Sequence, residues 1–130
     1  MVLHAGDLVA PSVFEELAKL APLEAVQGNM DAPTLKEALS RRHIAEIGGI
    51  RIGLIHDPGP AHGRALRLAA AFAGCDAIVY GHTHVPEIFR LDRCLVLNPG
   101  SPTAPRSTLG ATLIELTIVE GKIEPSIVTP

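Results

Sequence analysis

Apolar positions in this chain fall into short runs, and most runs end in a glycine or a polar residue. Val2 to Ala5 reads as the end of a buried strand. Val13, Phe14, Leu17 and Leu20 recur at helical spacing, which predicts a helix over 12–20, with Ser12 and Glu15 placed to form a capping box. Leu23 to Gln27 is a short strand broken by Gly28-Asn29. Residues 33–40 form a brief helix or turn with Pro33 near its start. Ile44–Ile47 and Ile50–Ile55 flank Gly48-Gly49, a strong hairpin signal because paired glycines suit a primed two-residue turn. Residues 63–73, rich in Ala and Leu, predict a helix that Gly74 can stop. Strands follow at 76–80, 86–91 and 94–97. A long loop covers 98–110, and a final hairpin joins 111–119 to 123–128 through Glu120-Gly121-Lys122. Helices and strands alternate early and strands dominate late, which suits layered α/β architecture with an antiparallel portion.

A chain of 130 residues has the length of one domain, and its 47% hydrophobic content supports a core. No apolar run approaches a membrane span. The start has neither the basic nor the long apolar region of a signal peptide. The net charge of −3 comes from scattered charges of both signs, which argues against a broad nucleic-acid face. With three Phe, one Tyr and no Trp, a base-stacking surface is equally unsupported. Small anionic substrates remain open, because a metal ion can supply positive charge. Cys75 and Cys94 read as small buried hydrophobes rather than a disulfide, and a reducing cytoplasm is the simplest compartment.

Four apolar runs end in residues of the metal-ligand type: Asp7 after Gly6, Asn29 after Gly28, His56, and His82 with His84 after Gly81. Taken singly each has a plain explanation. Asp7 can cap a helix or turn, Asn29 can be a turn residue, His56 can be a hydrogen-bonded strand-end histidine, and Asp31 can N-cap the helix at Pro33. His4, His43 and His62 lack the strand-end placement and are not expected to be ligands. The coincidence of four such endings argues for chemistry, because open α/β sheets place their sites at strand ends. One Asp, one Asn and three His form a mixed O/N set suited to Mn, Fe or Zn rather than Ca.

Five stretches together strongly resemble the calcineurin-like metallophosphoesterase superfamily, and most closely its small prokaryotic phosphodiesterase branch. They are His4-Ala5-Gly6-Asp7-Leu8, Gly28-Asn29-Met30-Asp31, Leu54-Ile55-His56, Gly81-His82-Thr83-His84 and Asn98-Pro99-Gly100-Ser101-Pro102. They occur in family order and span almost the whole chain. The resemblance implies an αββα sandwich, two mixed sheets flanked by helices, with residues 1–130 as a single phosphoesterase domain. It also implies a metal-dependent phosphoester hydrolase acting on a small-molecule substrate through a metal-bridging hydroxide. Asp7 matches the bridging aspartate. Asn29, His56 and His82 match the remaining ligands of one ion, and His84 a ligand of the second. Asp7 and Asn29 are the catalytic candidates, and Asn29 also the substrate-binding one. Manganese is the first expectation for the ions, with iron, zinc or nickel as alternatives. The Asn98–Ser101 segment is expected to be a structural loop at the rim, with Ser101 or the backbone there as the alternative lining of the site. Homo-oligomerisation is left open.

The sequence departs from the family at three places. No Asp-x-His, which the family carries on a first strand followed by a helix, occurs anywhere in the chain. The second ion then keeps only Asp7 and His84, so one bound ion rather than two is expected, with activity weakened or lost. A fold lacking that strand and helix leaves apolar surface uncovered, at about 25 cal/mol per Å². The expectation is that residues 1–130 are an N-terminally truncated domain. Second, Met30 stands where relatives with a catalytic histidine protonate the leaving group. Third, Asp57-Pro58-Gly59-Pro60 follows His56 where a Gly-His pair is common, and His62 is a weak substitute for it. A non-catalytic scaffold of the same fold, as in the retromer subunit that binds protein partners, and a degraded single-metal binding domain are the alternatives.

Overall fold

The computed structural model describes all of residues 1–130. Nine strands and three helices follow in the order β1 (Val2–His4), α1 (Pro11–Leu20), β2 (Leu23–Ala25), α2 (Pro33–Ala38), β3 (Arg42–Ile47), β4 (Ile50–Ile55), α3 (Arg64–Ala71), β5 (Ala77–Tyr80), β6 (Glu87–Leu91), β7 (Cys94–Asn98), β8 (Leu113–Val119) and β9 (Lys122–Val128). Every predicted element is present. Most boundaries are a residue or two shorter than the apolar runs, because strand pairing ends before the apolar side chains do.

The central layer is a mixed five-stranded sheet in the order β3-β4-β5-β7-β6. Its core strands β4, β5 and β7 are parallel, and β3 and β6 are antiparallel edges. β5, and β4 apart from the exposed Arg51, read as apolar runs because both their faces are covered. One face packs Ile78, Tyr80 and Val96 against Leu68 of α3 and Phe72 just past its end. The other packs Ile52, Leu54, Val79 and Leu97 against Ala5 and Val26, with Ile114, Leu116, Ile118 and Ile123 alongside. The second layer consists of two separate pairs, β1 parallel to β2 and β8 antiparallel to β9. An apolar groove of about 600 Å³ runs between Val2 and Leu3 on one side and Ile114 and Leu116 on the other. Helices thus flank mixed strand layers as expected, with only one of the layers continuous. Pro125 in β9 is accommodated because that strand pairs on one side only.

Two helix-cap expectations are overturned. The N-cap of α1 is Ala10 and Pro11 opens the helix, with no side-chain cap. Proline at the first position needs no hydrogen-bond partner and carries a preset φ, so Ser12 and Glu15 lie inside the helix and form no box. The N-cap of α2 is Ala32, again without a side-chain cap, so Asp31 does not serve there. The Gly48-Gly49 turn is as predicted, with φ of +56° and +79° at its two residues.

The loop after β4 is held from the helix that follows it. Arg67 of α3 donates through Nη2 to the carbonyls of Pro58 (2.8 Å) and Pro60 (2.7 Å), and Arg64 donates to Gly59 (3.0 Å). Cys75 and Cys94 are unbridged, as expected.

Candidate metal centre

β1 and β2 run parallel in one layer and β4 and β5 run parallel in the other, so four carboxyl ends meet at one edge of the sandwich. Asp7 follows β1, Asn29 follows β2, His56 follows β4, and His82 and His84 follow β5. These are the residues picked out along the sequence. Tertiary packing brings four of them into contact.

His56 is the hub and is 5% exposed. Its Nδ1 lies 2.7 Å from the Ala5 carbonyl oxygen, which can only accept, so Nδ1 carries the proton. In the neutral ring Nε2 is therefore a bare lone pair. That atom lies 3.3 Å from Asp7 Oδ2, 2.9 Å from Asn29 Oδ1 and 3.3 Å from His82 Nδ1. The rings of His56 and His82 meet edge to face at 84°. Asp7 Oδ2, Asn29 Oδ1 and His56 Nε2 present lone pairs to one another, and His82 Nδ1 adds a fourth in the tautomer protonated at Nε2. A proton on Nε2 satisfies one contact, whereas a divalent cation among them satisfies all four.

Ligands about 2.1 Å from an ion are separated by about 3.0 Å in octahedral and about 3.4 Å in tetrahedral geometry. The three separations from His56 Nε2, 2.9–3.3 Å, are compatible with those values. The Nδ1–H bond to Ala5 is the outer-shell contact that aims a ligating imidazole and fixes its tautomer. The cluster depends on the Asn29 amide, since His, Cys, Asp and Glu side chains alone assemble no group of three placed to hold an ion. The residues present thus fit one divalent ion with a mixed O/N shell. Asn29 and His82 are exposed and His56 is buried, so the cluster opens to solvent on one side.

His84 stands apart. Its Nδ1 donates to the Ala104 carbonyl (2.7 Å), which leaves Nε2 free as a ligand atom, but no hydrogen bond joins it to the other four. Asp7, His82 and His84 all hold left-handed backbone, with φ of +61°, +68° and +59°. Such strain in non-glycine residues persists only where surrounding contacts enforce it, and it gathers at functional sites. Glycine is required beside them by close approach. A Cβ on Gly28 would stand 2.2 Å from Asp7 Oδ1, and one on Gly6, at φ +95°, would stand 2.7 Å from His56 Nδ1.

Several residues whose sequence context suggests another role, or none, support this edge. Asp31 is buried and accepts two backbone N–H groups, from Val9 (2.7 Å) and Gly28 (2.7 Å). Its sequence signal is the last position of Gly-Asn-x-Asp. Asn98 is fully buried and donates to the Gly81 carbonyl (3.2 Å) and Thr83 Oγ1 (2.8 Å), holding the His82–His84 loop from below. Ser101 accepts from the Ala104 N–H (3.0 Å), whose carbonyl in turn receives His84. These contacts tie the Asn98–Ser101 segment to the His82–His84 loop. His4 accepts the Gly6 N–H at Nδ1 (3.2 Å) and has no hydrogen bond to the cluster. Burial holds its imidazole below the usual range, with nearby Asp31 and Asp7 opposing that shift. His43 faces Glu24 at 3.3 Å, and His62 sits exposed on the loop before α3 with no hydrogen bond to the cluster from its ring.

The chain as a whole is similar to known proteins. The model of the calcineurin-like phosphoesterase superfamily domain matches residues 1–121. A relative in Methanothermobacter thermautotrophicus, named as a probable metallophosphoesterase, is 46% identical over 110 residues, covering 83% of this chain and 63% of that protein. The chain spans less than two-thirds of the length of the curated relatives it matches, 63–65%. Among solved structures, one from Streptococcus pneumoniae described as a predicted phosphoesterase superposes with a TM-score of 0.78 at 26% identity, covering 98% of this chain and 72% of that one. The Vps29 protein of Entamoeba histolytica, solved with zinc, superposes with a TM-score of 0.71 at 27% identity, covering 98% and 80%.

Proposed function

We propose, from the premise that this chain belongs to the calcineurin-like phosphoesterase superfamily, that it is a metal-dependent phosphoester hydrolase, and specifically a phosphodiesterase. The observation that carries the reading is the convergence of Asp7, Asn29 and His82 on Nε2 of His56. Residues 1–130 are treated as one domain, with manganese first among the candidate ions and iron, zinc or nickel as alternatives.

Asp7, Asn29, His56 and His82 would hold the first ion, and Asp7 with His84 would contribute to a second. A divalent ion bound there supplies positive charge to the phosphoryl oxygens and activates water for attack on phosphorus. The chain's own residues do the rest. Ala5 holds the His56 ring in the tautomer that presents Nε2. Asn29, exposed at the mouth with its Oδ1 turned to His56, has its amide N–H free to donate to a phosphoryl oxygen. Met30, 64% exposed beside it, carries no proton, so this side chain does not protonate the leaving group. Activated esters with leaving groups of low pKa are the favoured substrates.

A second reading, a metal-binding scaffold without catalysis, is supported by the likeness to Vps29 and by the second position, which draws only on Asp7 and His84. One experiment separates the two. Metal per chain and hydrolysis of bis(nitrophenyl) phosphate with added Mn²⁺ are measured for the wild type and Asp7→Asn. Hydrolysis that requires Mn²⁺ and is lost in D7N supports the enzyme. Bound metal with no hydrolysis of mono- or diesters supports the scaffold, and absence of bound metal refutes both.

A further inference from the structure

We infer that Asp31 is a positioning residue, one that sets the spacing of the two ligand-bearing loops and through it the affinity of the metal centre. The inference rests on the metal-centre reading above. The Asp31 carboxylate is 5% exposed, and each oxygen holds one loop. Oδ1 accepts the N–H of Val9, two residues past Asp7, at 2.7 Å. Oδ2 accepts the N–H of Gly28, the residue before Asn29, at 2.7 Å. One planar group thereby dictates the separation of the Asp7 and Asn29 backbones.

The tie is reciprocal. Asp7 Oδ1 accepts the Met30 N–H at 2.8 Å, so each loop offers a carboxylate to the other. The Ala32 N–H closes the set on the Val9 carbonyl at 2.9 Å. Val9 is thus gripped at both its N–H and its carbonyl, and it needs that grip. Its φ of +70° is left-handed, and for a β-branched residue this costs about 1–2 kcal/mol or more. Released, Val9 would relax toward ordinary backbone and draw Asp7, at φ +61°, with it. No Lys or Arg pairs with Asp31 within ion-pair distance, so its negative charge also adds to the field that attracts a cation.

Asp31→Asn keeps the shape but can accept from only one of the two N–H groups, since its NH₂ then faces the other donor. The test is calorimetric titration of the 130-residue chain with Mn²⁺ alone, on four proteins: wild type, D31N, the double variant D31N/V9G, and Leu68→Ala, a core truncation under α3 remote from the edge. The expected result is Mn²⁺ binding weakened by roughly 10- to 100-fold in D31N, the usual scale for outer-shell losses. L68A should melt lower yet bind Mn²⁺ as tightly as the wild type. In D31N/V9G the left-handed position no longer carries strain, so part of the lost affinity should return. Should D31N fail to fold, a fifth protein, V9G alone, is added and the double variant is compared with it; weaker Mn²⁺ binding in the double variant then supports the inference and equal binding overturns it. Equal affinity of D31N and wild type, or an equal loss in L68A, overturns the inference and leaves the metal centre standing. A wild type that binds no Mn²⁺ refutes the metal centre itself.

Discussion

Gly28→Ala tests the site through steric contact alone, without touching any ligand. The added Cβ would stand 2.2 Å from Asp7 Oδ1, 2.3 Å from Asp7 N and 2.9 Å from Asp7 Cγ. Carbon and oxygen approach no closer than about 3.3 Å without repulsion, so roughly 1 Å must be found. Rotating the Asp7 carboxylate does not provide it, because the second contact is to backbone. The two loops must part, and their links lie in the way: Met30 N–H to Asp7, Val9 N–H to Asp31, and Ala32 N–H to Val9. Overpacking of this kind costs about 1–3 kcal/mol, or roughly 4–11 °C in melting temperature for a chain of this size. The effect on the ion is larger. Ligand distances tolerate about 0.2 Å, so a displacement of roughly 1 Å removes Asp7 from the shell and should weaken Mn²⁺ binding by about 100-fold or more. The measurements are a calorimetric Mn²⁺ titration and the melting temperature with and without the ion. A G28A protein that binds Mn²⁺ as tightly as wild type would refute both the placement of Asp7 as a ligand and the close approach of these loops.

Two further outcomes follow from other residues. Met30→His places a proton donor at an exposed position beside Asn29; it should raise hydrolysis of esters with alkyl leaving groups by about tenfold or more and leave nitrophenyl esters nearly unchanged. An equal effect on both, or none on either, would count against a missing leaving-group acid. Tyr80, the only tyrosine in the chain, has its phenol pushed up to about 12 by burial first and then by its hydrogen bond to Glu87. The folded state therefore retains a proton that the unfolded chain releases above the ordinary value near 10, so stability falls as pH rises from there toward 12 and is unaffected by this group below it. Tyrosinate absorbance should show the raised midpoint in wild type and a lower one in Glu87→Gln; an ordinary midpoint in the native protein would contradict the buried pair.

Much of this protein is legible in its amino-acid sequence. Strand runs such as Ile50–Ile55 and Ala77–Tyr80 announce themselves by apolar continuity, the Gly48-Gly49 hairpin by its turn chemistry, and α3 by its composition. All are set by neighbours in sequence. The identities of Asp7, Asn29, His56, His82 and His84 are legible too, because ligand-type residues end separate strands. What sequence does not decide is how these ends meet. That depends on parallel pairing of β1 with β2 and of β4 with β5, and on contacts between the layers such as the Ala5 carbonyl that orients His56, 51 residues away. The helix caps mislead for the same reason from the other side. Ser12 and Asp31 have the local chemistry of caps, but Pro11 takes the first turn of one helix and two distant N–H groups claim the carboxylate before the other. Only the folded chain separates His84 from the four-atom cluster and ties it to Ala104 instead. Local pattern chose the residue types and the elements that carry them. Which atoms face one another was decided by packing two layers edge to edge, because directional contacts of about 3 Å exist only once distant strands have been fixed in register.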